Sequence, residues 1–253
     1  MFKGTVTFMA KIKGNGLKFP LVEFNPKEPG VDKVEIEGPN GDEIHTTVHL
    51  ASVRSDEEGR ALATRVNTAA LNRISFYHNI AVENARSTGD QFSPLKPQPG
   101  VFIVAPAMYS FASGEASLVI GIPADQLKAE LEPPYLPGEE KYGLFRSARQ
   151  SMAPVEEFMH LYNILLMIFD DSQADVDAFI MNEDLAVPQT PKPPQENKKR
   201  RKKKAIMETI YTRLRNEFAH KRVGVNLDNT KSDMAIRLGG LIGLTKRAIE
   251  MHP

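Results

Sequence analysis

The chain contains no cysteine. That excludes disulfides, thiol nucleophiles and thiolate-bound zinc or iron–sulfur centres. It also lacks a long apolar run. The longest, Ile164 to Phe169, falls far short of the ~20 residues a membrane-spanning helix needs. The first sixteen residues mix lysine and glycine with short apolar runs, without the apolar core and cleavage site of a signal peptide. A cytoplasmic protein with no membrane partner is the expectation. The N-terminal half has no glycine-rich phosphate loop, no nucleophile elbow and no carboxylate cluster of convincing spacing. His45 and His49 could suggest a metal pair, but positions four apart on a strand lie about 13 Å apart. They read as cross-strand polar side chains. No metal and no cofactor is expected.

What is present is ordinary for a globular chain. Of 253 residues, 41% are hydrophobic and 25% charged, enough for one large or two small cores. Net charge is zero, yet residues 1–135 carry 13 Lys and Arg against 16 Asp and Glu, and residues 136–253 carry 19 against 16. One run, Lys198-Lys199-Arg200-Arg201-Lys202-Lys203-Lys204, supplies seven of the positive charges. Such a run is either a solvated insertion or a lure for nucleic acid. It has no interleaved aromatic, so base stacking is not part of it.

The periodicity predicts an α+β protein in two parts. Residues 1–135 read as a β-rich domain of unknown role, with strands over Gly4–Lys13, Leu17–Phe24, Val31–Glu37 and Glu43–Ser52. Turn signals lie between them, and Asn15-Gly16 is the strongest hairpin signal. One main helix follows Ser55, a good N-cap with Glu57 and Glu58 in the first turn. Two more strands are predicted at Val101–Pro106 and Ser117–Ile122. The proline-rich segment 131–138 reads as the domain boundary. Residues 140–253 read as an all-helical bundle. Its helices lie near Lys141–Ser151, from Pro154 at a first helical position, after Ser172, over Ala205–Lys221, and from Thr230 or Lys231 to Glu250. A Pro-rich and polybasic insertion occupies residues 186–204. Gly239, Gly240 and Gly243 in the last helix suggest a close helix crossing or a dimer seam.

The chemistry concentrates in Arg215-Asn216-Glu217-Phe218-Ala219-His220. Arginine is a forked phosphate donor, and histidine is the ordinary side chain for proton transfer near neutrality. On an ideal helix, Arg215 and His220 diverge by about 140°. Asn216 and His220 share a stripe, as does Arg213. The expectation is that Asn216 orients the imidazole. Arg215 would join them only through an unwound last turn or across a two-fold dimer. The competing reading is a solvated helix end, where basic residues favour the helix dipole.

Arg-Asn-x-x-x-His late in a helical bundle resembles the Arg-x4–6-His signature of the HEPN domain superfamily, over roughly residues 140–250. The resemblance implies a HEPN-like bundle that forms a homodimer, often as a metal-independent endoribonuclease leaving 2′,3′-cyclic phosphate ends. Carried over, Arg215 stabilises phosphate charge, His220 does acid–base work and Asn216 supports them, with RNA as the partner. Arg213 and Lys198–Lys204 are then the nucleic-acid-binding candidates. Three strings, Phe158–Met167, Glu208–Phe218 and Arg237–Ile242, also resemble MauJ-type methylamine-utilisation proteins. That resemblance implies a non-catalytic accessory role.

Overall fold

Four strands carry the alternation of the first half: β1 (Phe2–Lys13), β2 (Gly16–Phe24), β3 (Val31–Gly38) and β4 (Glu43–Val53). In the computed structural model, which describes residues 1–95, 119–134, 136, 138–192, 206–220 and 224–252, the protein is α+β. Two compact units divide at residue 150: Met1–Gln150 and Ser151–Pro253.

The first unit continues with α1 (Asp56–His78), β5 (Ala81–Val82), β6 (Arg86–Pro94), β7 (Val119–Gly121), α2 (Ala124–Leu131) and α3 (Glu139–Arg149). Its strands form one curled sheet in the order β5-β1-β4-β3-β2-β7, with β6 also pairing with β1. The Asn15-Gly16 turn does not make a hairpin. β1 pairs with β4, and β2 pairs with β3. The chain turns a corner there, and the β3–β4 turn holds it: Leu17 N–H donates to Gly41 O and Ile12 N–H to Asp42 O. The inward residues Val6, Phe8, Val34, Ile36, Val48 and Leu50 are buried in one core with Leu62, Ala63, Val66 and Ile74 of α1. Ser55 caps α1 as expected, its hydroxyl accepting from Glu58 N–H at 3.2 Å. His45 and His49 meet carboxylates instead of each other, Glu43 at 3.3 Å and Glu35 at 3.1 Å.

The expected boundary at 131–138 moves beyond α3, because α3 packs on α1. Phe76 stacks on Tyr142 with ring centroids 4.2 Å apart and meets Phe145 edge-on. Buried Arg73 grips Glu139 with two hydrogen bonds and donates to the carbonyls of Leu131 and Pro133. Beside it lies a cavity of about 260 Å³ lined by Phe24, Val66, Ala70 and Leu131. Arg73 is so fully engaged that it presents no free charge to that cavity.

The second unit contains α4 (Pro154–Ile168), α5 (Gln173–Glu183), β8 (Gln189–Pro191), β9 (Met207–Thr209), α6 (Ile210–His220) and α7 (Leu227–Met251). It is not all-helical. β8 and β9 form an antiparallel ribbon, closed by Lys192 N–H donating to Ile206 O at 2.8 Å. Residues predicted to begin a helix at Ala205 therefore enter as strand. Ile206 and Met207, which a helix from Ala205 would bury beside Ile210 and Tyr211, are exposed. The helix starts at Ile210 because Thr209 caps it, its hydroxyl accepting from Thr212 N–H at 3.4 Å. The run Lys198–Lys204 lies outside the described residues.

Helix α7 packs against α4 and α6. Gly240 is the position that allows this, since a Cβ there would overlap the Tyr211 hydroxyl. Tyr211 is itself buried, so it cannot swing clear without cost. Gly240→Ala is expected to lose about 1–2 kcal/mol in chemical denaturation, overpacking outweighing the gain in helix propensity. In a Tyr211→Phe background the clash is gone, and the same change should stabilise by up to about 1 kcal/mol. An unchanged sign between the two backgrounds would show that the hydroxyl is not the obstacle.

Candidate functional site

The site is built on the last two turns of α6 and lies wholly within the second unit. A buried polar network fixes the start of that helix. Asp177 on α5 accepts through one carboxylate oxygen, Oδ1, from Thr209 N–H (2.9 Å), the Thr209 hydroxyl (2.7 Å) and the Thr212 hydroxyl (2.6 Å). Because the Thr212 proton goes to Asp177, its oxygen accepts from the Tyr162 hydroxyl of α4 at 2.6 Å. All four residues are buried. Burial pushes the Tyr162 phenol well above its ordinary value, against a smaller opposing effect of its bond to Thr212. Three elements, α4, α5 and β9, are thus pinned to the first turn of α6.

In the next turn, Arg215 Nη1 lies 3.1 Å from Asn216 Oδ1 and 3.3 Å from His220 Nε2. The expected divergence of Arg215 from His220 is therefore overcome within one chain, and α6 stays helical through His220. Neither an unwound turn nor a second subunit is needed for the contact. The wheel angle describes Cβ directions, whereas an arginine is long enough to reach across the groove. The histidine Cα–Cβ bond also tilts back toward the helix N-terminus. A guanidinium can only donate, so the contact is a hydrogen bond when Nε2 is the acceptor.

Asn216 does not orient the imidazole as expected, because its amide is committed elsewhere. It is 3% exposed. Oδ1 accepts from Arg215 and from Gln173 Nε2 at 2.9 Å. Nδ2 donates to Gln173 Oε1 and to Glu208 Oε2, each at 3.4 Å. The flanking groups leave no freedom in the amide's orientation. Its oxygen must face the donor-only guanidinium, and its nitrogen must face the Glu208 carboxylate. Asn216 thus positions Arg215, and Arg215 positions His220. Arg213 stands apart from this set, paired with Glu217 at 3.5 Å and Asp233 at 3.9 Å.

Gln173, Glu208 and Lys192 are the members that sequence reading missed. Lys192 Nζ donates to Gln173 Oε1 at 3.3 Å. The available signals were faint: Gln173 directly follows the Ser172 cap, and Glu208 directly precedes the Thr209 cap. Arg215 has no ion pair among the described residues, and its Nη2 has no partner there. His220 is exposed. The arrangement is an imidazole beside a guanidinium that has no direct ion pair among the described residues, open on one side and rigidly backed on the other. Among the described residues, no three His, Asp or Glu side chains come together in a way that could hold a metal ion, and no helix is long and apolar enough to cross a membrane.

No family model, curated protein or solved structure matches the chain.

Proposed function

We propose that the second unit is a HEPN-like, metal-independent endoribonuclease with Arg215 and His220 as its catalytic pair. One observation carries the reading: Arg215 Nη1 lies 3.3 Å from His220 Nε2, while its guanidinium forms no ion pair among the described residues. A phosphodiester brings the missing negative charge. On arrival it takes the guanidinium fork, and His220 Nε2 is released to act as a base. The imidazole removes the 2′-hydroxyl proton, the 2′-oxygen bonds to phosphorus, and the bond to the 5′-oxygen breaks. Arg215 stabilises the charge that develops on the non-bridging oxygens. The leaving oxygen takes a proton from solvent or from a second copy of the site. The products are a 2′,3′-cyclic phosphate and a 5′-hydroxyl. A cytoplasmic location and a homodimer through the helical unit belong to the same proposal, and so does attraction of RNA by Lys198–Lys204.

The expected result is cleavage of single-stranded RNA in EDTA, with cyclic phosphate ends on the 5′ fragments. The same strand with 2′-O-methyl groups throughout should remain intact. Failure to cleave, cleavage of the methylated strand or an absolute need for added Mg²⁺ would reject the reading.

A second reading, a MauJ-like accessory protein that binds a partner, is favoured by the outer face of α7. Ile236 there is 73% exposed, and positions 239 and 243 beside it have open space where a Cβ would be. This reading requires that no RNA be cleaved under any condition.

A further inference from the structure

The site holds a second cation without a carboxylate partner. Lys192 ends the β8 side of the ribbon, with its backbone fixed by the bond to Ile206. Its ammonium reaches Gln173 Oε1 and forms no ion pair among the described residues. Gln173 and Asn216 face each other as a reciprocal amide pair. Lys192 is bonded to one member of that pair, and Arg215 to the other. The two charges are therefore spaced by hydrogen-bonded groups and not by flexible reach. The successive hydrogen bonds of 3.3, 2.9 and 3.1 Å, with the roughly 2.3 Å width of the Gln173 amide, keep the two charges within about 12 Å of each other. That limit accommodates neighbouring phosphates of one strand, whose axial rise is about 3.4 Å per nucleotide.

We infer that Lys192 is a substrate-binding residue, and that the site takes a polyanionic strand with the reacting phosphate on Arg215 and a neighbouring phosphate on Lys192. The inference rests on the ribonuclease reading of the same site and narrows its substrate to an oligonucleotide. A mononucleotide or a cyclic phosphate would leave Lys192 without an anion. A lysine serving only to satisfy Gln173 would not need a full charge, because a neutral donor satisfies an amide oxygen equally well. Lys192→Gln keeps such a donor and removes the charge.

The full-length chain and the variants Lys192→Gln and Lys192→Arg would be titrated with a fluorescent 2′-O-methylated RNA 12-mer, which binds without being cleaved. Titrations at 50 to 200 mM KCl give the salt slope. Lys192→Gln should weaken binding about five-fold at the low-salt end and reduce the slope by about 0.7, the loss of one phosphate contact on a single strand. Lys192→Arg should restore both, with thermal unfolding unchanged throughout. On cleavable substrates, Lys192→Gln should lower kcat/KM for the 12-mer and leave that for a dinucleotide, which has one phosphate, unchanged. An unaltered slope in Lys192→Gln overturns the role of Lys192 while leaving the ribonuclease reading standing. Equal loss on the dinucleotide overturns it too, since Lys192 would then act through Gln173 on Arg215. A wild-type chain that binds no strand, or binds but cleaves nothing in EDTA, takes down the ribonuclease reading itself.

Discussion

Asp177→Ala is expected to destabilise the second unit by about 2–4 kcal/mol, because buried donors lose their acceptor and a cavity is left. The side chain is 6% exposed, and its Oδ1 alone receives three donors. Two of those are hydroxyls that can rotate to other acceptors, and Thr212 already has Tyr162 within reach. The third is the Thr209 N–H, which cannot rotate and has water excluded from it. An orphaned buried donor costs about 1–3 kcal/mol, and the cavity left by the carboxyl group adds to this. Against a total stability of about 5–15 kcal/mol for a domain, the loss should be obvious in urea denaturation followed by circular dichroism. Asp177→Asn keeps an acceptor oxygen and most of the volume, so it should cost clearly less. A loss under about 1 kcal/mol for the alanine variant would mean that the start of α6 is held by something other than this network.

That network also marks where sequence reading reached its limit. The string Glu208-Thr209-x-x-Thr212 contains a serviceable cap, yet the helical spacing of Ile206, Met207, Ile210 and Tyr211 suggested a start several residues earlier. Tertiary pairing decided the matter, because β9 is a strand only through its bonds to β8. The same logic explains the other departures. β6 has little apolar pattern of its own, and its backbone is ordered by the long edge of β1. Asn15-Gly16 is a good local turn, but strand order is a property of the whole sheet. α3 is a clear helix in the sequence, but periodicity says that a face is buried and not against what. By contrast, β1 to β4, α1, α4 and α5 were legible. Their alternation, their caps at Ser55 and Ser172 and the proline at 154 all act within a few residues.

The site was half legible for a related reason. Arg215, Asn216 and His220 are close in sequence, and their side-chain types announce phosphate chemistry. Gln173 and Glu208 carry no such announcement. Gln173 is 43 positions from Asn216, and its role exists only because α5 and α6 are neighbours. The helical wheel misjudged Arg215 and His220 because it gives every residue the same reach.

His220→Ala should reduce kcat/KM for RNA cleavage by about 10²–10⁴, the usual contribution of a general base, while leaving stability within about 0.5 kcal/mol of wild type. The imidazole is exposed, and its bond to Arg215 is its one hydrogen bond among the described residues, so the fold gives up almost nothing. Arg215→Ala should lose about 10²–10³ in rate through the missing charge stabilisation. It should also cost about 1 kcal/mol in stability, because Asn216 Oδ1 loses one of its two donors. The double variant should fall little below the weaker single one, since groups acting as a unit are not additive. Arg215→Lys should recover only part of the rate. An ammonium restores the charge but not the fork that meets two phosphate oxygens while holding the imidazole. Asp177→Ala and His220→Ala therefore act on different things: the first should weaken the scaffold, and the second should silence an intact one. A double variant of Arg215 and His220 that cleaves as fast as the wild type would place the chemistry elsewhere in the chain.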